Sequence, residues 1–430
     1  MSDIQLLLVG FFALVIIRVP IAFAMILSSV IVILRMGLPL TSVINNVYAS
    51  IDSFPLLAVP FFMLLGQVMN TGGVTDRLVG VSNAWVGHIR GGLGHVNVLV
   101  SMLFAGLSGS GAADTAGVGS IMIPTMFRAG FSMPFTVAIT AASSTLGVII
   151  PPSIMMVLYG ALAQISIGAL FLAGIVPGIL IGVSQMFYCW MWSKRYNPPI
   201  QQAMPLKDRV TTTVKAIPPL CLPLIILGGI TLGVYTATEA AAIAVFLGLV
   251  LVLVVYRETR LRDLPKVFAD SCVHAAMPMI CVGGAGILGW LIAYMDAPAQ
   301  ISGWILSVTS SYYGVFGLVV LAMLLLGTFL SPVATVVIFM PIIQSLGQAA
   351  NLEPVHLGLI VNLTLALGMV TPPYGICLLI ASELGEISAP RAFLSILPMF
   401  LLALGIIVAG IFWPDLFMCV PKYFMPGAFS

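Results

Sequence analysis

Apolar residues fill this chain in long blocks, parted by short polar breaks or by glycine and proline. A first series of blocks covers 4–17, 20–35, 54–71, 133–163 and 167–192, and a second covers 217–235, 238–256, 274–296, 354–384 and 389–413. Blocks of this length with few charges predict membrane-spanning helices. Two further apolar segments, 92–127 and 315–350, are interrupted at their centres by SGSGA (108–112) and SP (331–332). Each is too broken for one span, and its halves read as too short for two. Each therefore predicts a re-entrant hairpin that enters and leaves on one side. Stretches 41–52, 76–90 and 263–272 read as interfacial helices.

The longest polar stretch, 193–215, reads as a linker that splits the chain nearly in half. Landmarks recur across it. Pro20-Ile21-Ala22 aligns with Thr238-Glu239-Ala240, Pro60 with Pro278, Pro124 with Pro341, and Pro151-Pro152 with Pro372-Pro373, at a steady offset of 217–221 residues. This predicts an internal duplication, 1–215 and 216–430, each half with five crossings and one hairpin. Five is odd, so the second copy starts on the opposite side and the repeats are inverted. The predicted fold is an all-α polytopic membrane protein of about ten transmembrane helices and two re-entrant hairpins. Alternating the crossings places fourteen of the sixteen Lys and Arg on one side and only Arg35 and Lys422 on the other. By the positive-inside rule both termini face outward.

Composition agrees with the pattern. The 430 residues are 60% hydrophobic and 7% charged, with mean hydropathy +1.17, whereas soluble chains carry about 25% charged residues. The net charge of +2 does not point to nucleic acid. No small-residue cleavage site follows the first block, which therefore reads as a span. The six cysteines are scattered, mostly in apolar segments, and read as buried small hydrophobes.

Candidate chemistry lies at two matching motifs, TLGVIIPPS (145–153) and ALGMVTPPY (366–374). A proline pair removes backbone donors and clashes with the preceding turn. Within lipid that is costly unless the broken backbone has another use. One such motif alone reads equally well as a kink or as an ion site. Two, each paired with a hairpin, predict unwound segments at 147–152 and 368–373. Freed carbonyls suit a hard cation such as Na⁺, and the following helix N-termini favour an anion. Each unwound stretch is expected to face its own hairpin tip, at Ser108-Gly109-Ser110-Gly111 or Ser331-Pro332.

Other polar residues carry less. Asp114, just past the first tip, either binds a cation or caps the second half-helix of its hairpin. Glu239 reads as an acid near a helix N-cap, and Glu383 and Glu386 as solvated. His88, His95, His274 and His356 do not cluster, and Ser143, Ser144 and Thr364 read as local helix bonds.

The segments FPLLAVPFFMLLGQVMNTGGVTDRL (54–78), GLSGSGAADTAGVGSIMIP (106–124), TLGVIIPPSIMMVLYG (145–160), TEAAAIA (238–244) and LGMVTPPYGICLLIAS (367–382) resemble the large membrane (M, DctM-like) subunit of TRAP transporters, the tripartite ATP-independent periplasmic family. The resemblance implies an elevator mechanism in the bacterial inner membrane. Hairpins and unwound helices move against a scaffold enlarged by a small membrane Q subunit. A periplasmic P protein delivers an organic acid anion: a C4-dicarboxylate, sialic acid, sugar acid or sulfonate. Entry of two or more Na⁺ drives import. Carried onto this chain, the first Na⁺ site uses Ser108, Gly111, Gly147, Ile150 and Pro152. The second uses Ser331, Gly368, Thr371 and Tyr374, while Ser110 and Met155 line the anion site. Ser331 stands where the family often has Asp, which removes a charge from the second site.

A channel would need a continuous polar path, which hairpins sealing from opposite faces oppose. An enzyme would need a nucleophile–base pair or metal cluster, and neither HExxH nor a histidine–acid cluster is present. A secondary carrier of similar architecture working alone is the remaining alternative.

Overall fold

A computed structural model describes residues 3–200, 202–298, 303, 305, 307, 309 and 311–429. Among them the regular structure is helical, with no strand. The first half runs α1 (Asp3–Ile16), α2 (Ile21–Arg35), α3 (Thr41–Ile51), α4 (Ala58–Thr71), α5 (Val74–Val86), α6 (Gly92–Ser108), α7 (Gly111–Arg128), α8 (Met133–Ser144), α9 (Ile154–Ala163) and α10 (Ile167–Tyr196). The second runs α11 (Leu206–Thr231), α12 (Ala237–Val250), α13 (Leu264–Tyr294), α14 (Tyr312–Phe329), α15 (Pro332–Ala349), α16 (Pro354–Gly368), α17 (Ile376–Leu384), α18 (Ala389–Phe412) and α19 (Pro414–Phe424). Eight helical stretches among the described residues are long and apolar enough to cross a membrane.

Local chemistry fixes many of the helix starts. Ser110, Ser153, Ser166, Ser311 and Ser331 each accept an N–H three residues on. Thr236 and Glu239 form a reciprocal capping box, so Glu239 is the N-terminal acid its position suggested. Large apolar side chains such as Leu224, Phe246, Leu394 and Leu401 lie on the outer surface, as expected where the solvent is lipid rather than water.

Four boundaries differ from the sequence reading. Residues 263–272 are not a separate interfacial helix; from Leu264 they join the following span in one 31-residue helix, α13. No glycine or proline interrupts 266–277, so nothing stops the helix there. The linker shrinks, because α10 continues to Tyr196 and α11 begins at Leu206. Helix α19 follows the last expected span. Finally, the arms of the second hairpin are not short: α14 and α15 have 18 residues each, about 27 Å apiece.

The centre is built by α8 and α16. From Phe135 to Ile149 and from Val355 to Val370 every residue is buried. Packing is reciprocal around them. Helix α9 lies on α15 and α16, while α17 lies on α7 and α8. Further out, α12 packs on α4 and α13 on α2. Thr238 Oγ1 donates to the Phe54 carbonyl at 2.9 Å. Arg77 pairs with Glu258 at 2.5 Å and lies over the Tyr256 ring, 3.7 Å from its centroid.

Candidate ion and substrate site

The first break lies between α8 and α9. Helix α8 tightens into a 3₁₀ turn at Thr145–Val148, and the chain then passes through a cis Pro151-Pro152 bond before α9 begins. In a continuous helix the N–H groups at 151 and 152 would serve the carbonyls of Gly147 and Val148. Proline has none. Ser153 repairs half of this loss: its hydroxyl donates to the Val148 carbonyl at 2.7 Å and accepts from Met156 N–H at 3.4 Å. No donor among the described residues meets the Gly147 carbonyl.

The tip of the first hairpin sits directly on this break. Ile154 N–H donates to the Gly109 carbonyl at 3.2 Å. Gly109 has φ +61°, and a Cβ there would fall 2.9 Å from the Pro152 oxygen. A Cβ on Gly147 would fall 3.0 Å from both Gly111 N and the Ser110 carbonyl carbon. Both positions require glycine because two backbones are in contact. Across the tip, Gly66 of α4 approaches Ser108 in the same way, with 3.2 Å from an added Cβ to the Ser108 Cα.

The second break lies between α16 and α17, around a cis Pro372-Pro373 bond. Tyr374 N–H donates to the Thr328 carbonyl at 3.0 Å. A Cβ on Gly368 would lie 3.0 Å from the Gly327 backbone. Each break is thus tied to its own hairpin by one backbone hydrogen bond and by glycine-only approaches, two at the first break and one at the second. The satisfaction differs. The Gly368 carbonyl accepts Thr371 N–H at 3.1 Å, and the Met369 carbonyl accepts Cys377 N–H at 3.0 Å. Exposure differs too: 145–149 is buried, whereas Tyr374 is 43% exposed.

Ser108, Ser110, Gly111, Gly147 and Pro152 are therefore gathered at one place, with Ile150 in the same break beside Gly178. Met155 is buried in α9, and Ser110 Oγ accepts from Ala113 N–H at 3.4 Å. In the second half, Gly368, Thr371 and Tyr374 form the break, with Thr371 Oγ1 donating to the Leu367 carbonyl at 2.8 Å. Ser331 caps α15 through Ala334 N–H at 3.3 Å. The contacts joining that hairpin to its break run instead through Gly327 and Thr328, which the sequence reading missed. They stand alone in an apolar helix, with no motif to mark them.

The cap of α7 is Ser110, not Asp114. Asp114 is completely buried, and neither carboxyl oxygen has a hydrogen-bond partner. His356 is held between the Tyr312 hydroxyl at 3.2 Å and the Gly410 carbonyl at 3.1 Å, a structural role. No group of three His, Cys, Asp or Glu side chains suited to a metal occurs among the described residues.

Residues 8–416 match the family described as the tripartite ATP-independent periplasmic transporter, DctM component. The chain belongs to that family. It is a transporter permease component, not an enzyme, and a multi-pass protein of the bacterial inner membrane. This DctM-family chain is 35% identical over 378 residues to the C4-dicarboxylate TRAP transporter large permease protein DctM of Pseudomonas aeruginosa, covering 88% of each chain. It is 34% identical over 382 residues to the sialic acid TRAP transporter large permease protein SiaM of Vibrio cholerae, covering 89% of each. Its fold is similar to the crystal structure of the Alcanivorax borkumensis YdaH transporter, with a TM-score of 0.62 and 16% identity over 87% of both chains.

Proposed function

We propose that this chain is the Na⁺-driven permease subunit that carries an organic acid anion from a periplasmic binding protein into the cytoplasm. Relatives named for a C4-dicarboxylate and for sialic acid support the anion class. The family is tripartite, so a small membrane Q subunit and a periplasmic P protein complete the machine. The observation that carries the reading is the unsatisfied Gly147 carbonyl beside the Gly109–Gly111 tip, inside a buried break. A carbonyl without a donor in a lipid-embedded core suits a hard cation. Ser108, Gly111, Gly147, Ile150 and Pro152 would hold the first Na⁺. Gly368, Thr371, Tyr374 and Ser331 would hold a second, weaker for the neutral Ser331. The anion would lie between the tips, near Ser110, with Met155 behind it.

The reciprocal packing of α9 on the second hairpin and α17 on the first fits two inverted repeats, 1–215 and 216–430. Both hairpins and both broken helices would then move as one elevator body against the α1–α5 and α11–α13 scaffold. The first hairpin turns back at a largely buried tip, Ser108–Gly111, and the second at a more open one, with Phe329 exposed beside part-buried Ser331.

Energetics allow the coupling. One charge crossing 100 mV contributes about 2.3 kcal/mol, and tenfold accumulation costs about 1.4 kcal/mol. Two Na⁺ entering with a monoanion carry one net positive charge inward, so the potential alone supports more than tenfold accumulation; a dianion needs a third Na⁺ for the same gain. The test is uptake of a radiolabelled organic acid into proteoliposomes holding this chain with its Q and P partners. Uptake is expected to need an inward Na⁺ gradient and to rise with an inside-negative potential. Equal uptake in its absence would falsify the proposal.

A further inference from the structure

We propose that Asp114, with Ser101 and Ser144, forms a further Na⁺ site, one helical turn beyond the Ser108–Gly111 tip and separate from the carbonyl sites. This deepens the Na⁺-driven reading and rests on it.

Asp114 lies in the first turns of α7, is 0% exposed, and has both carboxyl oxygens unpartnered. Ser101 of α6 and Ser144 of α8 face the carboxyl, yet neither closes a hydrogen bond on it. The reason lies in where the hydroxyl hydrogens go. Ser144 spends its hydrogen on the Thr140 carbonyl at 2.8 Å. Thr115 spends its own on the Gly111 carbonyl at 2.8 Å. Ser101 pairs with Ser143 Oγ at 3.0 Å, in a chain that continues to Asn97 and Thr140. Hydroxyls bonded back along their helices present lone pairs outward.

Ser144 therefore turns a lone pair to the carboxyl, Ser101 does the same when it donates to Ser143, and neither meets the carboxyl with hydrogen-bond geometry. Helices α6, α8 and α17 and the 145–148 turn pack against α7. Among the described residues, the titratable group they bring to Asp114 is the Cys377 thiol of α17; His95 of α6 and Arg128 of α7 lie toward the ends of those helices away from the tip. In this setting the carboxyl either keeps a proton or, as a carboxylate, needs a positive partner. A small hard cation bound by the Asp114 carboxylate and the Ser101 and Ser144 hydroxyls satisfies every oxygen at once.

The test is equilibrium ²²Na⁺ binding to the full chain, purified in detergent, for wild type, Asp114→Asn, Ser108→Ala and the pair combined. Asp114→Asn keeps the shape and removes the charge. The expected result is one fewer Na⁺ bound per chain, with Ser108→Ala lowering affinity further in the Asp114→Asn background. An unchanged count in Asp114→Asn overturns this site alone. No additional effect of Ser108→Ala in that background also overturns it, since Asp114 then serves only the first site. A wild type that binds no Na⁺ overturns the Na⁺-driven reading itself. Should Asp114→Asn not elute as a single folded species, Ser101→Ala/Ser144→Ala replaces it. That variant is expected to weaken one class of Na⁺ site about tenfold, and wild-type binding there overturns the proposal.

Discussion

At the residue scale, the site depends on the absence of side chains. Gly147 and Gly109 face Gly111 and Pro152, and Gly368 faces Gly327, in each case with backbone atoms 2.9–3.0 Å from where a Cβ would sit. Backbone cannot swing aside as a flexible side chain can. Gly147→Val is therefore expected to push the tip from the break at about 1–3 kcal/mol. Uptake and Na⁺ binding should fall at least tenfold while the protein still purifies, measured by ²²Na⁺ binding and proteoliposome flux. Gly228→Val, at a position with nothing within 4 Å of an added Cβ, is the control expected to leave both unchanged. Gly147 and Gly368 were legible because each stands four residues before a Pro-Pro pair. Gly327 and Thr328 were not, because a lone Gly or Thr in a membrane helix more often serves packing. Asp114 was conspicuous as an acid in apolar sequence, but its lack of partners depends on the hydrogen bonds of two other helices, α6 and α8.

At the element scale, the broken helix survives in an apolar interior because one serine serves both sides of the gap. Ser153→Ala removes the α9 cap and the only donor to the Val148 carbonyl seen among the described residues. A loss of about 1–2 kcal/mol is expected, read as a lower thermal midpoint in detergent, with Ser153→Thr recovering most of it. The breaks themselves were legible, since two prolines in succession leave a helix no alternative. Helix lengths were less so. Helix α13 runs unbroken through what read as an interfacial stretch, and α14 and α15 are longer than the Ser-Pro interruption suggested. Periodicity marks that a helix exists more firmly than where neighbouring packing lets it end.

At the scale of the whole molecule, the charge count makes a topological prediction. Alkaline phosphatase fused after Ser430 is expected to be active in cells, and the same enzyme inserted in the 197–205 segment inactive. Both fusions reporting the same side would remove the inverted arrangement, while the opposite pattern would reverse only the orientation. The all-helical architecture and the two-fold recurrence of landmarks were legible because lipid permits few backbone solutions. What the sequence could not disclose is that the arms cross over: α9 rests on α15, and α17 on α7. Each hairpin therefore bears on the broken helix of the other half as well as on its own. A compound wedged beneath one tip from the cell interior should loosen the grip on cargo presented at the opposite face. By thermodynamic reciprocity, cargo held there must weaken the wedge by the same factor.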